Sequence, residues 1–109
     1  MGRRDELGPF EREVLETLLS QPRNSYGVTI SERIEDRTGR RPSVGALYTA
    51  LERLEAKGFV RSWWGEPTKE RGGRRKRLYE IEPAGAHAVR TARVADNARA
   101  VGGLLPQGA

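Results

Sequence analysis

The segment from Ser43 to Gly58 constrains the fold most, because both of its ends are typical of a single capped helix. Ser43 is an N-cap residue type, whose hydroxyl accepts a hydrogen bond from a backbone N–H of the first turn. Gly58 suits the left-handed position that follows a last helical turn. Apolar residues recur at helical spacing between these ends and predict one buried stripe, formed by Val44, Leu47, Leu51 and Leu54.

The opposite face of this helix is small and nearly neutral, whereas a solvated helix face normally carries charged residues. At about 100° per residue, that face comprises Gly45, Ala46, Thr49, Arg53 and Ala56. Small side chains allow a helix to approach another surface closely, as insertion into the major groove of DNA requires. An ordinary amphipathic helix with few charges is the alternative, so the segment alone does not decide between them.

Size and charge narrow the class of protein. A chain of 109 residues is expected to form one small domain, and its net charge of +5 favours a polyanionic partner. The absence of cysteine excludes disulfides and thiolate metal sites. No apolar signal core and no stretch of membrane-spanning length is present, so we expect a soluble cytoplasmic protein that has no contact with membranes.

Two further helices are predicted before this segment. The first begins at Pro9 and ends before Pro22, and Asn24 or Ser25 is available to cap the second, which spans Tyr26–Arg37. The inward face of the second helix is expected to comprise Tyr26, Val28, Ile30 and Ile34. A short basic turn leads from it into the capped helix, and two helices joined in this way are typical of a helix-turn-helix.

After Gly58 the period changes from 3.6 towards 2. A strand is predicted over Phe59–Trp64 and a second over Arg74–Ile81, with a turn-rich segment between them, which together indicate a β-hairpin. A final helix begins at Pro83 and is expected to end near Ala100, before two glycines. The predicted fold is mainly α with a small β-hairpin: a winged helix-turn-helix followed by a C-terminal helix.

The hairpin carries the basic excess of the chain. Between Arg61 and Arg77 there are seven Lys and Arg residues and two Glu, a surplus that equals the net charge of the whole chain. Four consecutive basic residues follow Gly72-Gly73, where glycine permits close approach and arginine binds phosphate bidentately. A solvated charge run or a localisation signal is the alternative. Together with the small helix face, the run favours double-stranded DNA as the partner.

We therefore predict DNA contacts from the capped helix, from the short basic turn before it and from the hairpin. The predicted contact residues are Arg41, Ser43, Gly45, Ala46, Tyr48, Thr49, Arg53, Arg74, Arg75 and Arg77. Tyr48 lies at the flank of the apolar stripe, which leaves core packing and phosphate contact both open. Trp63 and Trp64 are adjacent on a strand and must face opposite sides. One is expected on the core and the other exposed to a ligand or a partner subunit.

The sequence provides no catalytic or metal-binding set. His87 is the only histidine, and it has no carboxylate pair at ligand spacing. The chain also has no combination of nucleophile, base and orienting residue, so we expect neither an enzyme nor a cofactor.

Four segments resemble the PadR family of bacterial transcriptional regulators: residues 26–30, 43–48, 51–60 and 72–79. The resemblance implies a dimeric winged-helix DNA-binding protein, usually a repressor, that contacts DNA through Ser43, Tyr48, Arg53, Arg74 and Arg75. Two features depart from the family pattern. Thr49 stands where many members have proline, and residues 83–103 contain no aromatic residue on which a flat drug could stack. The second departure argues against a small-molecule effector of that type.

The final helix is the predicted dimerisation element. Its stripe of small residues comprises Ala84, Ala88, Ala92 and Ala95, and because alanine buries little area, Phe10 of the first helix is expected to contribute. A homodimer would read two half-sites one DNA turn apart. The predicted boundaries are a flexible N-terminus over 1–8, the DNA-binding domain over 9–82, the dimerisation helix over 83–101 and a flexible tail over 102–109.

Two alternative functions remain from the sequence. A protein-binding winged helix would use Trp63 and Trp64 as its anchor, and its charges would only keep it in solution. A non-specific DNA-binding protein would use the hairpin alone. Neither requires base-specific contacts from the capped helix.

Overall fold

A computed structural model describes residues 7–21, 25–66 and 75–104, with side chains up to residue 100. The first six residues of the predicted flexible N-terminus and the last five of the predicted tail lie outside the described residues. So does the tip of the predicted hairpin, which contains Lys69, Arg71 and Arg74.

The described residues form four helices and three short strands. They are α1 (Pro9–Ser20), β1 (Ser25–Tyr26), α2 (Gly27–Thr38), α3 (Val44–Ala56), β2 (Val60–Trp64), β3 (Arg77–Ile81) and α4 (Pro83–Leu104). This order confirms the predicted fold class, a mainly α winged helix-turn-helix with a C-terminal helix.

Both ends of α3 are capped as predicted. The N–H of Ala46 donates to Ser43 Oγ at 3.1 Å. At the other end Gly58 has a φ of 79°. The N–H of Phe59 donates to Leu54 O, and the N–H of Gly58 donates to Glu55 O, both at 3.0 Å. This pair of bonds is the Schellman motif, which reverses the chain and leads it into β2.

The three strands form an antiparallel sheet in the order β1-β3-β2. Val60 pairs with Ile81 and Trp64 with Arg77, which confirms the hairpin. Ser25 pairs with Tyr79 and Tyr26 with Leu78, so these two residues form a third strand that the sequence pattern does not predict. The proposed capping of α2 by Ser25 is wrong, because Tyr26 occupies the N-cap position and makes no side-chain cap bond. Asn24 lies outside the described residues.

The core lies between the helices and one face of the sheet. Its fully buried side chains come from all four helices and from β2, and they include Leu15, Ile30, Leu47, Leu51, Leu54, Val60 and Val89. Three of the four residues of the predicted α3 stripe are therefore confirmed as core.

Three expected core positions are wrong. Val44 is 71% exposed, because it lies in the first turn of α3 and about 50° from the centre of the three buried leucines. Val28 is 57% exposed, since it precedes buried Ile30 by two residues and therefore lies about 200° from it around the axis of α2. Tyr26 lies in β1 instead of α2 and is half-buried.

α4 continues to Leu104, past the two glycines at which the sequence predicts its end. Glycine disfavours a helix by about 1 kcal/mol relative to alanine but keeps its backbone donor and acceptor, so glycine alone does not terminate one.

Charged side chains hold α4 against α1. The carboxylate of Glu16 is buried, and Arg93 Nε donates to its Oε2 at 3.3 Å. Arg12 Nε donates to the same oxygen at 3.3 Å, and Arg12 Nη1 lies 2.6 Å from Asp96 Oδ2. The hydrogen bonds from Arg93 lower the pKa of Glu16 and, with those from Arg12, outweigh the opposing effect of burial.

We expect Gly85→Ala to destabilise the protein by about 1–3 kcal/mol, because an added methyl would lie 2.3 Å from the backbone oxygen of Phe59. Gly45→Ala is the matched control: it is also in the first turn of a helix, but its added methyl meets nothing within 4 Å. The control should be neutral or stabilising by up to about 1 kcal/mol. Urea unfolding measures both, and equal effects would contradict the prediction.

We expect Glu16→Gln to lower the unfolding temperature at neutral pH but not in acid. The folded-state pKa of Glu16 is lowered, so its contribution is present above the unfolded value of about 4.3 and is lost as the pH falls through the folded value. Melting curves between pH 3 and 7 should show the two proteins converging at low pH. Glu32→Gln, at an exposed position of α2, is the control. A constant difference down to pH 3 would contradict the prediction.

Candidate nucleic-acid interface

The small face that the sequence predicts for α3 is exposed in the structure. All five residues of the predicted small face, Gly45, Ala46, Thr49, Arg53 and Ala56, are exposed. The helix has 13 residues and is therefore about 20 Å long. A helix of this length, with small residues on its exposed face, fits the major groove of B-DNA, which is about 12 Å wide.

One side of α3 faces a groove of about 1080 Å³, which we call the α3–hairpin groove. Gly45, Tyr48 and Thr49 line it from α3, and the start of α2 lines one end. The hairpin contributes Trp64 and the basic run Arg75–Arg77. The groove therefore places the small helix face next to the cationic hairpin.

Tyr48 packs on the core and also lines the groove, so its contact with phosphate stays a prediction. Its ring lies 6.5 Å from that of buried Tyr79, yet the residue is 42% exposed. The Tyr48 side chain can lie here because residue 27 is glycine: a Cβ on Gly27 would lie 2.2 Å from Tyr48 Oη. Burial raises the pKa of Tyr79, and Tyr48 raises it further. Tyr48 thus packs on the core with its ring and presents its edge to the groove.

The other side of α3 faces a smaller groove of about 400 Å³ against α1 and α2. Ser43, Ala46 and Arg41 line it, together with Phe10. Arg41 Nε donates to Glu35 Oε1 at 3.0 Å, which draws its side chain towards α2. The predicted contact residues at the start and middle of α3 are thus divided between the grooves on its two sides, and Arg53 lines neither of them.

Each basic side chain at the described end of β3 contacts a neighbouring group. Arg75 Nε donates to Gly65 O at 2.9 Å. Lys76 Nζ lies 4.2 Å from the ring centroid of Tyr26. Arg77 stacks on Trp64 at 5.1 Å and donates to the Ser62 hydroxyl. The predicted contact Arg74 lies outside the described residues.

The two tryptophans lie on opposite faces of the sheet, as predicted. Trp64 lines the α3–hairpin groove, and Arg61 stacks on Trp63 at 4.5 Å on the other face. The expectation that one of them packs on the core is wrong. The core is reached by Val60 at the opposite end of β2, so the tryptophans lie too far along the hairpin to contribute.

Several residues that line the α3–hairpin groove are absent from the predicted site, among them Glu52 and Val28. Glu52 lies in the groove three residues after Thr49. Its position one turn from Thr49 was the available signal, because residues three apart share a helix face. Val28 also lines the groove, and its assignment to the core concealed this.

The four alanines predicted for dimerisation line one groove of about 750 Å³ beside α4, together with Leu7. Phe10 lines the smaller groove against α2 and α3 instead, so the structure does not bring it together with the alanines.

Within the described residues, no three His, Cys, Asp or Glu side chains are close enough to hold a metal ion. None of the described helices has the length and apolarity needed to cross a bilayer.

The fold and the groove define the class of protein, a winged helix-turn-helix with a basic hairpin. The model of the transcriptional regulator PadR-like family matches residues 14–91, and the chain belongs to this family. It is therefore a PadR-like transcriptional regulator. No curated protein matches the chain.

Solved structures agree with this assignment. A transcriptional regulator from Clostridium thermocellum is 26% identical, with a TM-score of 0.66 over 88% of this chain and 92% of its own. A PadR family transcription regulator from Clostridium difficile is 22% identical, with a TM-score of 0.68 over 81% and 86%. Bacillus subtilis PadR, solved in complex with operator DNA, is 15% identical, with a TM-score of 0.66 over 79% of this chain and 47% of its own.

We expect Ser43→Ala to destabilise the protein by about 1 kcal/mol, because it removes the side chain that caps α3. Ser43→Asp keeps an N-cap acceptor and should stay within a few tenths of a kcal/mol of the parent protein. Ser20→Ala is the control, since that hydroxyl donates to a carbonyl at the end of α1. Urea unfolding measures all three, and equal losses for Ala and Asp at position 43 would contradict a capping role.

Proposed function

We propose that the chain is a sequence-specific DNA-binding repressor that acts as a homodimer on a pseudo-palindromic operator. The observation that carries the proposal is the small, exposed face of α3 beside a cationic hairpin. The first element is suited to base edges in the major groove, and the second is suited to phosphates. Such a regulator would act in the cytoplasm, where it meets DNA.

Base reading falls to the polar residues on the exposed strip of α3. Arg53 can donate two hydrogen bonds to a guanine edge, and Thr49 can bond to a base or contact a thymine methyl. Glu52 adds an acceptor that suits the cytosine amino group. Gly45 and Ala46 support this assignment, because they allow the helix backbone to approach the groove closely.

The hairpin would supply non-specific affinity. Arg75 and Lys76 are exposed at its described end, and Arg74 directly precedes them in the sequence. Phosphate contacts from such residues fix the position of a protein on DNA and make its affinity depend steeply on salt.

A homodimer is supported by the groove beside α4, into which Ala84, Ala88, Ala92 and Ala95 all face. A second copy of α4 can approach such a groove closely. The structure of Bacillus subtilis PadR with its operator DNA supports an operator as the partner of this fold.

The tryptophans give little support to a protein-binding function. Trp63 and Trp64 lie on opposite faces of the sheet, so they do not form one anchor patch. A non-specific DNA-binding protein would not need the small, exposed face of α3. We therefore retain both alternatives only as outcomes of the test.

Selection of duplexes from a random pool by the purified protein, at two salt concentrations, tests the proposal. Enrichment of a two-fold symmetric site with half-sites about 10 bp apart is the expected result. Salt-sensitive binding without an enriched site would indicate a non-specific binder. No binding at either salt concentration would favour the protein-binding alternative.

We expect Arg53→Ala to reduce the preference for the selected site over random DNA by about 1–3 kcal/mol, through the loss of one base contact. Affinity for random DNA should change much less. Arg90→Ala removes the same charge from an exposed position of α4 and is the matched control. Fluorescence anisotropy with both DNAs measures the effect, and an unchanged preference in Arg53→Ala would contradict base reading by this residue.

A further inference from the structure

The Ser62 hydroxyl lies between two charged groups that belong to different elements. It donates to the carboxylate of Glu55 on α3, with distances of 2.9 and 2.8 Å to the two oxygens. It also accepts a hydrogen bond from Arg77 Nε on β3 at 3.0 Å. A hydroxyl has one donor and can accept at the same time, so this arrangement uses both of its capacities.

Arg77 is held from a second side by the hairpin itself. Its guanidinium lies 5.1 Å from the ring of Trp64, the residue with which it pairs across the two strands. Arg77 is half-buried, whereas Arg75 and Lys76 before it are exposed. Its Nε and one face of its guanidinium are thus directed into the protein.

We propose that Glu55, Ser62 and Arg77 form a brace that sets the position of the hairpin relative to α3, and that Arg77 is a positioning residue instead of a phosphate contact. This inference rests on the proposed DNA-binding function and revises the role that the sequence predicts for Arg77. The brace, defined by these three residues, joins α3 to β2 and β3 at the wall of the α3–hairpin groove.

The chemistry of the brace requires arginine at position 77. A planar guanidinium stacks on an aromatic ring and donates from Nε in the same orientation, whereas lysine provides a mobile point charge. The hydrogen bonds of Ser62 to Glu55 and Arg77 each involve a charged group and are therefore of the stronger, charge-assisted type. The brace thereby fixes the distance between the base-reading face of α3 and the exposed Arg75 and Lys76 of the hairpin.

The test uses two substitutions that preserve charge, Ser62→Ala and Arg77→Lys. Each should weaken binding to the selected operator by about tenfold, because each breaks a hydrogen bond to a charged group. The double variant should be no weaker than either single variant, because both remove the same link. The slope of log affinity against log salt should not change, because no phosphate contact is lost.

A phosphate-binding role for Arg77 gives different results. Arg77→Lys would then keep most of the affinity, Ser62→Ala would have no effect, and Arg77→Gln would reduce the salt slope by about 0.9. Any of these results would overturn the proposal. Arg61→Lys is the control, since this arginine lies on the opposite face of the same hairpin, over Trp63. Ser62→Thr retains the hydroxyl and should restore binding.

A second readout needs no DNA. In a Trp63→Phe background Trp64 is the only tryptophan, so its emission reports on the hairpin beside the brace. Ser62→Ala and Arg77→Lys should each increase quenching by acrylamide and lower the fluorescence anisotropy. If the parent protein does not bind DNA, the proposed function fails while this measurement still tests the brace. Unchanged Trp64 emission in both folded variants would overturn the brace itself.

Discussion

The backbone of Phe59 is the junction on which the arrangement of the functional elements depends. Its N–H donates to Leu54 O at the end of α3, and its carbonyl accepts from the N–H of Glu82 at 2.9 Å, just before α4. Gly85 of α4 packs against the same carbonyl, where a side chain would not fit. One residue thereby sets the positions of α3, the hairpin and α4 relative to one another.

This junction explains how a small protein presents a helix face at a defined orientation. Leu47, Leu51 and Leu54 are buried and fix the rotation of α3 about its own axis, so the opposite strip with Thr49 and Arg53 must face outwards. The Schellman turn leaves only residues 57–59 between α3 and β2, which limits how far the hairpin can move from the helix. The α3–hairpin groove follows from these two constraints.

The features that could be predicted from the sequence are those with local causes. The caps of α3 at Ser43 and Gly58 depend on residues within one turn, and helical spacing is enough to place the three buried leucines and the exposed small face of this helix. The third strand could not be predicted, because Ser25-Tyr26 is too short to show a period and pairs with a strand more than fifty residues away. The exposure of Val44 and the positions of the tryptophans depend on where neighbouring elements end, which the local pattern does not encode.

The candidate site likewise has a part that could be predicted from the sequence and a part that could not. The small residues of the exposed α3 face predict a role in reading bases. The charge of the hairpin alone does not distinguish the cations that can contact a partner from those that stabilise the hairpin. Arg77 contacts Ser62 and Trp64, and Arg75 bonds to the Gly65 carbonyl, so part of the basic run orders the hairpin.

Ordering long side chains before binding avoids an entropic cost of about 0.5–1.5 kcal/mol for each one that would otherwise be immobilised in the complex. Their positive charge still acts at a distance on a polyanion, because a hydrogen bond to a neutral carbonyl or hydroxyl does not neutralise it. The basic run therefore serves both the structure of the hairpin and its electrostatic field.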